Sequence, residues 1–302
     1  MHTAARRRHR VLAVSQSSPL VAPEGVQTRQ CDLTDSETLE RLVLDYFPDA
    51  VIHCAALSSP AAVDARPAEA EKINVQTPRR LAELCRHLGA KLVHVSTDMV
   101  FDGTEEDYRS TGMPNPVSLY GQMKLMAEKA VLKTGGDEAT ILRIPLVNGN
   151  SPGGRRSVHE QLFHRWMAGE TVPLAKHEIR QPVSAENAAD VLLELCERPT
   201  LHGLFHWSGD TVLSRFELGA AILAYFGLPP TLIREAATAS GGGRWVLNRH
   251  PLEGKIKTRP DSLETQLATL QPPPACLEWY QQHREAAEQT TVRRRLVKGV
   301  DF

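Results

Sequence analysis

"AEAEKINVQTPRRLAELCRHLGAKLVHVST", residues 68–97, reads as an amphipathic helix over 68–89 feeding a β-branched strand over 91–97. Related pieces recur on both sides of it. "RVLAV" (10–14), "VQTRQC" (26–31), "AVIHCAA" (50–56), "ATILRI" (139–144) and "GLFHWSG" (203–209) are strand candidates, and "SETLERLVLDYF" (36–47) is another helix. Alternation at this spacing predicts an α/β fold, a doubly wound parallel sheet with helices on both faces. Ligands on such sheets lie beyond the carboxyl ends of the strands, so the loops after residues 14, 31, 55, 97 and 144 carry the chemistry.

The pattern changes after Pro145. "VNGNSPGGRR" (147–156) is a Gly/Pro/Asn-rich loop, "SVHEQLFHRWMAG" (157–169) a helix, "SGGGR" (240–244) a glycine-rich break, and "QPPPA" (271–275) precedes a last helix. The expected division is a sheet domain over 1–146, rejoined by 184–210, and a smaller substrate lobe over 147–302. "SAENAADVLLEL" (184–195) is the helix that returns to the sheet.

Bulk properties exclude several functions. The chain has 302 residues, 41% hydrophobic and 24% charged, with a formal net charge of −1. No global field recruits nucleic acid or an anionic membrane, and no apolar run approaches a membrane span. The runs Arg6–Arg7–Arg8 and Arg293–Arg294–Arg295 read as solvated tails or helix ends. The five cysteines form no C-x-x-C pair and read as buried reduced thiols, and the twelve histidines show no metal-ligand spacing, so no metal is expected. Cytoplasm is the expected compartment.

The informative loops hold a constellation. Ser96, Thr97 and Asp98 follow the 91–97 strand, and Asn148 follows the 139–144 strand. In "PNPVSLYGQMKLMAEKA" (114–130), Ser118 caps a helix whose first turn carries Tyr120, with Lys124 four residues on along the same face. Reducing a ketone by hydride transfer requires a proton for the developing alkoxide. A phenol titrates near ~10 and needs a cation beside it to work at neutral pH. Lys124 is the candidate cation, and Thr97 or Ser96 the anchor for the substrate oxygen. Each residue also has an ordinary reading: Thr97 as a strand end, Asn74 as a turn cap, Asp32 as a helix N-cap. Trp166, Trp207 and Trp245 read as core or hinge packing. Arg143 and Arg180 are candidate diphosphate clamps, because guanidinium matches phosphate geometry.

"VSTDMVFDG" (95–103), the Tyr120 segment and "LRIPLVNG" (142–149) resemble the extended short-chain dehydrogenase/reductases, closest to their dTDP-4-dehydrorhamnose reductase-like branch. The resemblance runs from about Val11 to Leu263. It implies a Rossmann-like domain that binds NADP or NAD, and a nucleotide-sugar substrate reduced at its C4 ketone. It implies Thr97, Tyr120 and Lys124 as the catalytic triad. The cofactor would meet Cys54, Ala55 and Ala56 in the cleft and Asp32 and Leu33 at the adenine. Asn74 would hold a proton-relay or structural position. The substrate would meet Ser96, Asp98, Asn148 and Arg180. Met99 stands where this branch usually has tyrosine. "VSQSS" (14–18) lacks the acidic residue that would hold an unphosphorylated ribose, which favours NADP with Ser15 and Ser17 as phosphate contacts.

"GLFHWSGDTVLSRFELGAAILAYFGLP" (203–229) and "HCAALSSPAAV" (53–63) also resemble the regulatory beta subunit of methionine adenosyltransferase, a non-catalytic relative that keeps the Tyr-x-x-x-Lys pair. Under that reading the partner is the methionine adenosyltransferase catalytic subunit rather than a second copy in a homodimer. A sugar-nucleotide epimerase or dehydratase is a third alternative. The largest departure from the family lies before Val11, where the resemblance calls for a first strand and a glycine-rich phosphate turn. No glycine precedes Gly25. The expectation is weak or lost dinucleotide binding and a gap beside "RVLAV" and "AVIHCAA", either closed by re-pairing or filled by a segment of a partner.

Overall fold

A computed structural model describes residues 1–16, 20–236 and 242–285. The chain opens with helix α1 (His2–Arg6), strands β1 (Val11–Ser15) and β2 (Val26–Gln30), helix α2 (Ser36–Tyr46) and strand β3 (Ala50–His53). Helices α3 (Pro60–Ala65), α4 (Pro67–Glu71) and α5 (Thr77–Leu88) lead into β4 (Lys91–Thr97), and α6 (Leu119–Gly135) leads into β5 (Ala139–Ile144). Then come β6 (Val147–Asn148), α7 (Val158–Met167), β7 (Val172–Leu174), β8 (Glu178–Arg180), β9 (Val183–Ser184) and α8 (Ala185–Cys196). The remainder is β10 (Gly203–His206), β11 (Leu213–Ser214), α9 (Arg215–Phe226), β12 (Ile233–Glu235), β13 (Gly243–Arg244), α10 (Leu263–Ala268) and a helix over 277–285. Ser17, Arg293–Arg295 and the first part of the 240–244 break lie outside the described residues.

Two compact units form. The first comprises Met1–Pro145, Glu186–Ser208 and Trp245–Pro260; the second comprises Leu146–Ala185, Gly209–Arg244 and the described residues from Asp261 onward. In the first unit β10, β5, β4 and β3 make a parallel sheet in that order, and the expected α/β fold is what forms. Its register sets Thr97 beside Ile144 and His53 beside His94. β1 and β2 pair in parallel as a separate sheet of two. Among the described residues no ladder joins β1 to β3, so the expected gap is not closed by re-pairing.

Leu81, Ala82, Leu84 and Cys85 of α5 pack with Leu92 and Ile141 of the sheet, Val131 of α6, and Leu39 and Val43 of α2. The hydrophobic face of the 68–89 segment therefore faces where its periodicity pointed. The segment is not one α-helix, however. Residues Lys72–Gln76 form a π-turn. Pro78 has no amide to reach the Asn74 carbonyl, so the regular ladder breaks one turn before it. The Thr77 amide instead reaches back to the Lys72 carbonyl, as does its hydroxyl at 3.1 Å. The extra residue turns Asn74 into the interior, where it is buried.

The return of Trp245–Pro260 to the first unit has no counterpart in the sequence reading, and specific bonds hold it there. Tyr108 exchanges 2.8 Å backbone bonds with Val246 and Asn248, and the Trp245 indole N–H donates to the Phe101 carbonyl at 2.9 Å. The carboxylate of Glu194 on α8 accepts from the amides of Lys257 (2.6 Å) and Thr258 (2.9 Å). At the other end of the chain, Arg7 is not simply solvated: it bonds Asp190 at 2.8 Å and Glu197 at 3.0 Å. Such partly exposed pairs contribute at most ~1 kcal/mol.

The second unit has its own core, built on Phe163 and Trp166 of α7 with Ile222 and Phe226 of α9. Its sheets are short: β11–β8–β13, β12–β7 and β6–β9. Trp166 and Trp207 are fully buried, as packing residues should be. No helix among the described residues is long and apolar enough to cross a membrane.

Candidate active site

The carboxyl end of β4 and the first turns of α6 meet closely. Ser118 is the N-cap of α6, its hydroxyl accepting from the Gly121 amide at 3.1 Å. Gly121 is required by contact: a Cβ there would collide with the Met99 carbonyl oxygen and lie 3.0 Å from Pro116. Both neighbours are held by backbone, so neither yields cheaply. Gly121→Ala is therefore expected to lower stability by about 1–3 kcal/mol, as overpacked sites do, read as a drop in denaturation midpoint. Unchanged stability would show that α6 shifts freely.

That close approach buries Tyr120 and Lys124. The Tyr120 ring packs with Val63, Ala70 and Met123, with Leu57, Val75 and Met99 at its margin. Burial pushes the phenol up to about 12, helped by the charge of Asp98 and opposed by the Thr97 hydroxyl beside it. Lys124 is 2% exposed, and its ammonium donates to the Val95 carbonyl at 2.6 Å and meets His94 Nε2 at 3.0 Å. Burial pulls it down to about 8, with Glu128 and Cys54 acting against that. The expected tuning of the phenol by the ammonium is not the state described. Here Lys124 is engaged by β4, and the pKa of Tyr120 lies above that of an ordinary phenol.

The other expected residues divide sharply. Thr97 accepts from the Met99 amide at 3.1 Å and donates to Asp98 at 3.2 Å, capping the turn Asp98–Val100. Ser96 points away from that turn, and its hydroxyl donates to Glu128, which also takes two bonds from Arg143, at 2.8 and 2.6 Å. Arg143 is thereby a buried structural partner, not an open phosphate clamp. Asn74 holds the loop after β3, accepting from the Leu57 amide at 2.9 Å and donating to its carbonyl at 3.0 Å. That loop carries Cys54, Ala55 and Ala56. Cys54 is exposed, unlike the buried thiols Cys31, Cys85 and Cys276.

Ser15 closes β1 beside Gln30. Asp32 is exposed and folds into its own turn, accepting from the Thr34 amide (2.9 Å) and hydroxyl (2.8 Å), while Asp35 caps α2. Leu33 is half-buried, and its carbonyl accepts from Thr77 at 3.1 Å. Asn148 and Arg180 belong to the second unit. Asn148 is buried and donates to Gln266 at 2.8 Å; Arg180 donates to Glu178 at 3.3 Å. The sequence reading missed His53 and His94. Their signal was present: each is a lone polar ring inside an apolar strand, in "AVIHCAA" and "KLVHVST".

A match to the RmlD substrate binding domain over residues 1–242 places this geometry among known proteins, and the chain belongs to that family. Among curated relatives, methionine adenosyltransferase 2 subunit beta of Bos taurus is 34% identical over 210 residues, 68% of this chain. The chain spans 62–63% of the length of that subunit and its Xenopus counterparts. A probable low-salt glycan biosynthesis reductase, Agl14 of Haloferax volcanii, is 32% identical over 255 residues, covering 80% of this chain and 83% of that protein. The fold matches dTDP-4-dehydrorhamnose reductase from Bacillus anthracis in complex with NADP, with a TM-score of 0.74 at 22% identity, over 85% of this chain and 95% of that one.

The residues present fit one end of a nicotinamide dinucleotide. An ammonium has three donors, and Val95 and His94 engage two of those of Lys124, leaving one for a ribose hydroxyl. The Tyr120 hydroxyl and the small side chains of Ala55 and Ala56 suit the same end. For the pyrophosphate, neither the turn from β2 into α2 nor the turn from β3 into α3 contains a glycine.

Proposed function

We propose that the chain is an NAD(P)H-dependent reductase of a nucleotide-activated 4-keto-deoxysugar. The observation that carries this is the burial of Tyr120 and Lys124 on successive turns of α6, beside Thr97 and Asp98 at the end of β4. The dinucleotide would supply the hydride. Tyr120 donates its phenolic proton to the ketone oxygen as that oxygen becomes an alkoxide. Thr97 holds the same oxygen in line. Lys124 grips a ribose hydroxyl and keeps positive charge near the phenol. Cys54, Ala55, Ala56 and Asn74 shape the wall of the cleft; Ser15, Ser17, Asp32 and Leu33 take the adenosine side, with NADP preferred. The similarity to a probable reductase over four-fifths of both chains supports reduction as the reaction class.

In the substrate lobe Arg180 binds the diphosphate, with Asn148 beside the sugar. Arg180→Ala should weaken nucleotide-sugar binding about tenfold or more, the scale of a charge-assisted bond, and leave dinucleotide affinity unchanged. Titration showing equal losses, or none, would remove Arg180 from the site. The decisive assay is oxidation of NADPH with a dTDP-4-keto-deoxysugar, expected to proceed one for one with sugar reduced. The working compartment is the cytoplasm and the assembly a homodimer.

A second reading is favoured by the 34% identity to the bovine beta subunit and by the raised pKa of Tyr120. On it the chain regulates a methionine adenosyltransferase without turnover. Absence of NADPH oxidation, together with co-purification of a methionine adenosyltransferase catalytic subunit, would select it.

A further inference from the structure

Behind Lys124 lies a row of buried polar groups that the reduction chemistry above does not use. His94 Nε2 is 3.0 Å from the Lys124 ammonium, and His94 Nδ1 is 2.8 Å from His53 Nδ1. The two rings are register partners on β4 and β3, inclined by 18° with centroids 5.0 Å apart. His53 and His94 are 3% and 1% exposed. The far end of the row, His53 Nε2, is buried and has no hydrogen-bond partner.

The protons in this row are fixed by elimination. A charged ammonium only donates, so His94 Nε2 must accept and the His94 proton sits on Nδ1. The contact between the two Nδ1 atoms then needs His53 Nδ1 to accept. His53 therefore carries its proton on Nε2, the atom without a partner. If Lys124 is a neutral amine, the reverse set is allowed: His94 carries Nε2–H, His53 carries Nδ1–H, and His53 Nε2 is bare.

We propose that His53 and His94 are a proton conduit that recharges Lys124 from the far side of the active site. Entry requires a water molecule to reach His53 Nε2, which is covered in this structure; the proton it gives binds the bare nitrogen, and the hydroxide stays outside. The Nδ1 proton of His53 passes to His94 Nδ1, and the Nε2 proton of His94 passes to the Lys124 amine. One proton enters, one reaches Lys124, both rings end neutral in the opposite tautomer, and each ring must turn over before a second proton can follow. This role rests on the reductase reading, in which Tyr120 gives up a proton at every turnover and must regain one.

The surroundings suit transfer without storage. Burial and the positive charge of Lys124 hold His53 down to about 3, and hold His94 well below its ordinary value, so neither ring keeps a charge at neutral pH. Burial pulls Lys124 down to about 8, so near neutral pH it both gives up and regains a proton readily. The charged groups facing the row are few. Glu128, one turn along α6, and Cys54, next to His53, act on Lys124, and Glu128 is itself neutralised by Arg143 of β5. Asp98 acts on Tyr120.

The test reads tautomers directly. Histidine ring ¹⁵N spectra of the full chain are recorded from pH 6 to pH 10, together with the Lys124 side-chain nitrogen. The expected result is His94 protonated at Nδ1 and His53 at Nε2 at the acid end, both exchanging tautomer with the Lys124 midpoint. Rings locked in one tautomer throughout, or a ring positively charged at pH 6, would overturn the conduit. His53→Phe keeps the ring volume and removes the entry point. In NADPH-dependent sugar reduction it should lower kcat about tenfold or more, with KM unchanged and a larger solvent deuterium isotope effect. An unaltered isotope effect and pH profile in a folded His53→Phe variant would equally overturn it. If the wild type reduces no nucleotide sugar, the reductase reading fails, and the tautomer spectra still decide whether the conduit exists.

Discussion

Tyr120→Phe is expected to lower kcat by ~10²–10⁴-fold, the usual worth of a positioned general acid, equivalent to about 3–5 kcal/mol of barrier. The substitution is a narrow one. Phenylalanine keeps the ring among Val63, Ala70 and Met123, so the packing that seats α6 against β4 survives. Only the hydroxyl is lost, which on the proposed reading supplies the proton for the developing alkoxide. Burial and Asp98 keep that hydroxyl protonated across the neutral range, the state a proton donor needs. Dinucleotide affinity should scarcely change, because Lys124, not the phenol, offers the remaining cationic donor. The measurement is steady-state sugar reduction alongside calorimetric titration with NADPH. Retention of most of the wild-type rate would assign the proton to another group and leave Tyr120 a packing residue.

The Tyr120–Lys124 pair is legible in the sequence because its geometry is local: four residues on one helix share a face whatever the rest of the chain does. Parallel pairing follows from the alternation of strands and helices for the same reason. What is not legible depends on register between distant segments. His53 and His94 meet only because Ala50 pairs with Lys91, which no property of either strand announces. Glu128 and Arg143 find each other across a helix and a strand, and "AEK" within "KLMAEKA" looks like any solvated helix face. The π-turn at Lys72–Gln76 has a local cause in Pro78, yet a proline there is equally compatible with a simple helix start. That Trp245–Pro260 joins the first unit is not legible in the sequence, because its attachment is made by single bonds to Tyr108, Phe101 and Glu194, not by a repeating pattern.

The buried pair beneath the site carries the largest expected effect on stability. Glu128 and Arg143 are 2% and 3% exposed in their side chains, and the carboxylate takes both the Nε and Nη2 bonds of the guanidinium. Two such charges are expensive to bury, and each is tolerable only because the other is in place. Glu128→Ala leaves Arg143 with the face of Phe101 at 5.0 Å and a long 3.4 Å contact to His206, which burial holds neutral. Neither compensates a full positive charge. The expected loss is about 3–5 kcal/mol, a large part of the ~5–15 kcal/mol that holds a domain together. In urea titrations the midpoint should fall while the slope stays constant, since the surface exposed on unfolding is nearly unchanged. The same substitution removes the carboxylate that supports the charge on Lys124, so the ammonium should titrate below about 8. Replacing both partners, Glu128→Leu with Arg143→Met, should recover most of the stability, because the penalty belongs to the orphaned charge and not to the missing attraction. A loss below about 1 kcal/mol for Glu128→Ala would put water beside Arg143, and the ground between β4, β5 and α6 could no longer be the dry floor that holds Lys124 against Val95 and His94.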